Sequence, residues 1–191
     1  MRFVEAAAVV LTLLSVIFQI YESIWGWPLT IAGVALYAIL FQHERLYADM
    51  GLQGIYIAIA VYGWYEWLHG GESHGERKVS NAALRVQAPA YAIGAVFAVA
   101  LGFFLRRTTN AALPFLDSTL TSYSLVAQWM LTKKYLENWL VWIAVDIVYV
   151  GMFIFKNLYM TAGLYVVFMF LCARGYLEWK RSREVVEPAG G

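Results

Sequence analysis

Apolar residues run along this chain in seven long blocks, separated by breaks that hold most of the charge. The blocks cover about 3–21, 26–42, 47–68, 86–105, 113–132, 138–155 and 158–179. Each is close to the roughly 20 residues an α-helix needs to cross a bilayer, so the pattern predicts seven transmembrane helices. One break is long: Leu68 to Arg85 holds Gly70, Gly71, His74, Gly75, Arg77 and Lys78 and reads as a flexible loop after the third helix. His69, Glu72, His74 and Glu76 lie in that hydrophilic stretch, where a solvated loop is the expected state and no metal site or cofactor is implied. The stretch from Met1-Arg2 into Ala6–Ile20 has the outline of a signal peptide but lacks a small-residue cleavage site, so it is expected to stay as the first helix. Residues 181–191 are expected to form an irregular tail.

The apolar blocks repeat. Offset by 112 residues, positions 27–67 align with 139–179 without a gap and share Trp27/Trp139, Tyr37/Tyr149, Phe41/Phe153, Tyr47/Tyr159, Gly51/Gly163, Gly63/Gly175, Glu66/Glu178 and Trp67/Trp179. Membrane composition raises chance matches among Leu, Ile, Val and Ala, but not among Trp, Tyr and Gly. The pattern therefore predicts two three-helix repeats, 1–68 and 113–180, joined through a loop and a connector helix at 69–112. Helices 1 and 5 are an even number of crossings apart, so the repeats run parallel, a 3+1+3 arrangement about an axis along the membrane normal. Transporters built this way hold their substrate between the halves near the midplane.

Within the sixth block, Trp139, Trp142, Asp146 and Tyr149 fall at i, i+3, i+7 and i+10 and share a helix face. An acid at midmembrane depth must face a cavity or the bundle interior. Two indoles, a phenol and a carboxylate suit a flat cationic ring; they equally suit a Trp-rich seam whose acid hydrogen-bonds a neighbouring helix. The repeats diverge at this face, Asp146 aligning with Val34 and Trp142 with Thr30. Other polar groups at depth are Gln19 and Ser15, Gln53 with Tyr56, and Thr121, Ser124 and Gln128. The hydroxyls fit interhelical hydrogen bonds; the amides Gln53 and Gln128 suit carboxamide or hydroxyl recognition.

Charge narrows the class. Of 191 residues, 14% are charged, against about 25% in soluble domains, and a net charge of +1 offers no basic stripe for nucleic acid. The single cysteine, Cys172, sits in an apolar run and reads as a small buried hydrophobe. With seven crossings, one side of the membrane carries Arg2, Arg45, Arg106, Arg107 and Lys156; the other carries the remaining nine of fourteen cations. The richer side should be cytoplasmic, placing the N-terminus outside and the C-terminus inside. The histidines lie in connections or at segment ends, which argues against an intramembrane enzyme. No lysine lies within the last block for a retinal Schiff base.

Trp25-Gly26-Trp27-Pro28, Leu46-Tyr47-Ala48-Asp49, Leu52-Gln53-Gly54-Ile55-Tyr56, Tyr62-Gly63-Trp64, Val126-Ala127-Gln128-Trp129, Glu137-Asn138-Trp139 through Asp146, and Gly175-Tyr176-Leu177-Glu178-Trp179 together resemble the PnuC family of bacterial nicotinamide riboside transporters over about residues 5–180. The resemblance implies a scaffold related to the sugar-carrying SWEET proteins and facilitated diffusion of nicotinamide riboside across the inner membrane. It also implies trapping by a cytoplasmic ribosylnicotinamide kinase. Trp139, Trp142, Gln53 and Gln128 are implied at the substrate; adding Gln19, Tyr56, Asp146 and Tyr149 from the residue reading completes the expected site. The partners expected are the substrate, the bilayer and other copies of the chain. Thiamine, another flat cation, is not separated from nicotinamide riboside by these residues, and a sugar substrate is the next alternative.

Overall fold

The computed structural model describes residues 2–43, 47–71, 74–109, 113–155 and 157–186. Glu72 of the polar loop, Arg45 and Lys156 of the charge count, and 187–191 lie outside them. The described residues form seven helices: α1 Arg2–Ile20, α2 Gly26–His43, α3 Tyr47–His69, α4 Leu84–Thr108, α5 Pro114–Thr132, α6 Asn138–Phe155 and α7 Tyr159–Val186. The expected irregular tail is therefore corrected in part. Helix α7 runs on to Val186, where Arg174 and Arg181 flank Glu178 one turn away on either side and help carry the helix past its apolar part.

Four helices, α1, α4, α6 and α7, are long and apolar enough to cross a membrane. Helices α2, α3 and α5 dilute their apolar runs with polar positions. In α5 these are handled locally: Ser118 and Thr119 donate to the Phe115 carbonyl at 3.0 and 2.7 Å, and Ser122 to that of Ser118 at 2.7 Å. Each hydroxyl is thereby satisfied by its own helix backbone, as an apolar surrounding requires.

Helix positions obey the 112-residue register. α1, α2 and α3 begin at 2, 26 and 47; α5, α6 and α7 begin at 114, 138 and 159, each 112 later. α1 and α2 end at 20 and 43; α5 and α6 end at 132 and 155, again 112 later. The turn between the first two helices of each set has one geometry: Ser23 N donates to Phe18 O at 2.8 Å and its equivalent Tyr135 N to Met130 O at 3.1 Å. Glu22 and its equivalent Lys134 both adopt left-handed backbone, with φ of 55° and 49°.

The chain packs as two compact units. The first comprises Met1–Val79, Thr132–Lys134 and Arg174–Gly191, and within it α2 packs between α1 and α3. Gly63 of α3 lies against the Trp27 indole of α2, which leaves no room there for a Cβ. The second comprises Ser80–Leu131 and Tyr135–Ala173. In it α4 presents Gly94, Ala98 and Gly102 at four-residue spacing, letting its backbone approach Val126, Phe115 and Ser118 of α5. The other face of α4, with Ile93, Val96 and Phe104, is exposed and apolar, as a lipid-facing surface must be.

Candidate functional site

In the second unit, Leu120 of α5 and Val145 and Met152 of α6 form a core against which Tyr149 and Phe153 pack. Asp146, one turn before Tyr149, is 3% exposed. Its hydrogen-bond partner among the described residues is the Cys172 thiol of α7, whose Sγ donates to Oδ2 at 3.8 Å. A thiol is a weak donor, so the carboxylate lies buried beside no cation among the described residues. The cysteine that the sequence presents as a small hydrophobe is the contact that holds the acid.

Next to this pair lies an aromatic cluster. The Tyr149 ring stacks on Phe153 at 5.8 Å and lies 4.7 Å from Tyr165, which also contacts Phe153 at 5.1 Å and Phe168 at 6.0 Å. Asp146, Tyr149 and Phe153 follow i, i+3, i+7 on α6, and Tyr165, Phe168 and Cys172 follow the same spacing on α7. Two matching helix faces thus form a seam with one acid and four aromatic rings.

The remaining expected residues divide. Trp139 is buried at the start of α6, and Trp142 is half-buried one turn on. Gln128 of α5 is buried. Gln53 and Tyr56, half-buried on α3, and Gln19, buried at the end of α1, belong to the first unit. Gln19 is anchored within that unit: its Nε2 donates to Thr30 Oγ1 at 3.1 Å, its backbone carbonyl accepts Trp179 Nε1 at 3.0 Å, and Gly26 sits against its side chain. Asn138, also wholly buried, donates from Nδ2 to Tyr135 O at 2.7 Å but has no hydrogen-bond partner for Oδ1 among the described residues. A buried acceptor in that state calls for a donor.

A second cluster, in the first unit, was not legible in the sequence. Trp67 and Trp179 lie in the interior of this unit: they are 3% and 0% exposed, their rings lie 5.9 Å apart, and Trp67 meets Trp27 edge-on at 5.3 Å. Lys134 is no mere topology signal; its Nζ lies 2.7 Å from Glu22 Oε2 and 4.5 Å from the Trp67 ring centroid. Positions equivalent under the 112-residue register meet here, Glu22 with Lys134 and Trp67 with Trp179. Glu66 pairs with Arg77 and, at 3.0 Å, with Lys133. Arg77 also donates to the carbonyls of Lys133 and Gly70, so the polar loop is strapped to α3 and to the α5–α6 turn. Burial works against the Lys133 ammonium, but its hydrogen bonds to Tyr62 and Glu66 and the Glu66 charge outweigh it and hold Lys133 above the ordinary lysine range.

Among the described residues, seven helices, four of them long and apolar enough to span a bilayer, define a polytopic helical membrane protein. The model of the family described as "Nicotinamide mononucleotide transporter" matches residues 2–181, and the chain belongs to that transporter family. It is 26% identical over 207 aligned residues to the nicotinamide riboside transporter PnuC of Escherichia coli K12, spanning 95% of this chain and 87% of the relative. It is 28% identical to the riboflavin/roseoflavin transporter RibM of Streptomyces davaonensis, over 94% of this chain and 88% of that one. A crystal structure of the vitamin B3 transporter PnuC superposes with a TM-score of 0.74 at 24% identity, covering 96% of this chain and 83% of that chain, and shows the shared fold.

Proposed function

We propose that this protein carries nicotinamide riboside across the bacterial inner membrane by facilitated diffusion. The observation that carries the reading is Asp146: a buried carboxylate paired with a thiol rather than a cation, beside Tyr149 and Tyr165. A buried charge needs compensation, and a pyridinium supplies it while stacking on aromatic faces. The same acid, ionised against a bound cation, disfavours nicotinamide mononucleotide, whose phosphate would add a second negative charge.

The substrate-contacting set is Gln19, Gln53, Tyr56, Gln128, Trp139, Trp142, Asp146 and Tyr149. All seven helices cross the membrane, as two parallel repeats over 1–68 and 113–180 joined through 69–112, which the common 112-residue spacing of helix boundaries supports. The N-terminus lies outside and the C-terminus inside. The protein performs no chemistry on its cargo; a cytoplasmic ribosylnicotinamide kinase traps it, and the chain assembles with other copies of itself. Relatives named as nicotinamide riboside transporters support this reading. A riboflavin carrier is the second reading, favoured by the similarity to RibM.

Calorimetric titration of the purified protein with nicotinamide riboside, nicotinamide mononucleotide, thiamine and riboflavin tests the proposal, repeated on Trp142→Ala and Asp146→Asn. Binding of the riboside alone, weakened in both variants, is expected. Riboflavin or thiamine binding in its place would move the protein to a sister substrate, and unchanged binding in both variants would remove the site.

A further inference from the structure

The 112-residue register maps the α6–α7 seam onto α2 and α3, and the comparison separates packing from recognition. Tyr149 and Phe153 correspond to Tyr37 and Phe41, which keep the same stack, 5.8 Å and 13° against 6.0 Å and 25°. The residues around that stack do not keep their chemistry. Asp146 stands for Val34, Tyr165 for Gln53, Phe168 for Tyr56 and Cys172 for Ala60. The packed pair is retained in both halves, while an acid, a thiol donor and an additional ring gather in the second half alone. Asp146 has no cation beside it among the described residues, so its carboxyl is available to pair with a cationic ligand.

We propose that Cys172 and Tyr165 are specificity-determining residues, selecting a planar monocation over a neutral ring of similar shape. Cys172 acts as a positioning residue: its S–H holds Asp146 Oδ2 and leaves the other carboxylate oxygen for the ligand. Tyr165 supplies the aromatic plane opposite α6. The ligand class is an N-substituted pyridinium or comparable flat cation; a neutral isoalloxazine forms no ion pair with the acid. The inference rests on the proposed nicotinamide riboside reading and adds two residues to it.

The test uses the full-length protein in detergent, titrated by calorimetry with nicotinamide riboside and with riboflavin. Four variants are compared, Cys172→Ala, Cys172→Ser, Tyr165→Gln and Tyr165→Phe, each checked for an unchanged thermal midpoint. Cys172→Ala and Tyr165→Gln are expected to weaken riboside binding about tenfold, while Cys172→Ser, which keeps a donor, and Tyr165→Phe, which keeps the ring, stay within about threefold of wild type. Rescue by serine is the readout that a packing role would not give. If the wild type binds the riboside and all four variants match it, the inference fails and the proposed function stands. Equal loss in the Ser and Ala variants would also overturn it, because the thiol would then be filling space. A wild type that binds riboflavin and not the riboside would remove the proposed function and this selectivity with it.

Discussion

Replacing Glu22 with Gln leaves the Lys134 ammonium, on a side chain only 8% exposed, without the carboxylate now 2.7 Å away. Removing one partner of a fully buried ion pair costs roughly 3–5 kcal/mol, whereas an exposed pair is worth about 1 kcal/mol or less. Glu22 is 24% exposed, so the pair lies between these limits, and a loss of about 2 kcal/mol is expected. In a chain of 191 residues that lowers the thermal midpoint by about 4–8 °C. The register adds a sharper expectation. Both positions have the same left-handed backbone, and Lys134 covers Trp67, whose equivalent is Trp179. The double exchange Glu22→Lys with Lys134→Glu should restore the pair with its polarity reversed and set the lysine at position 22 over Trp179. Its midpoint should return to within about 2–4 °C of wild type, corresponding to about 1 kcal/mol. Lys134→Glu alone, which opposes two carboxylates, should fall below Glu22→Gln. The assay is tryptophan-monitored unfolding in one detergent at one scan rate, since such unfolding is kinetically controlled. A double exchange no more stable than the worse single variant would refute both the energetic weight of the pair and the equivalence of the two turns.

Further outcomes follow from the same geometry. Gly63→Ala places a methyl into the Trp27 indole and should cost about 1–3 kcal/mol, whereas Gly51→Ala, with nothing within 4 Å, should be neutral or stabilising; paired melting curves decide. Lys133 titrates above its unfolded value of 10.5. Its contribution is therefore fully present below that pH and lost as pH rises through the elevated folded value, so Lys133→Met should flatten the alkaline fall in stability. Asp146→Asn should weaken riboside binding at least tenfold at neutral pH while leaving the fold intact, read by calorimetry alongside a thermal midpoint.

The helices and their repeat were legible because each depends on spacing along the chain. Apolar runs of bilayer length predict spans, and matching Trp, Tyr and Gly at one offset predict matching helices, whose starts differ by 112 residues. The polar face of α6 was legible for the same reason, since residues at i, i+3 and i+7 share a side whatever surrounds them. Their partners were not. That Asp146 meets Cys172 and Tyr149 meets Tyr165 depends on how far α7 slides along α6, which no single-helix pattern encodes. The burial of Trp67, Trp179 and Lys134 was hidden for a related reason. Near helix ends, aromatic and cationic residues ordinarily mark the membrane interface, and only the tertiary fold folds one turn onto another and carries Lys134 to Glu22, 112 positions away. Periodicity fixes which face of a helix turns inward; which residue it meets there is set by close packing between segments distant in sequence, where a shift of one turn exchanges every partner.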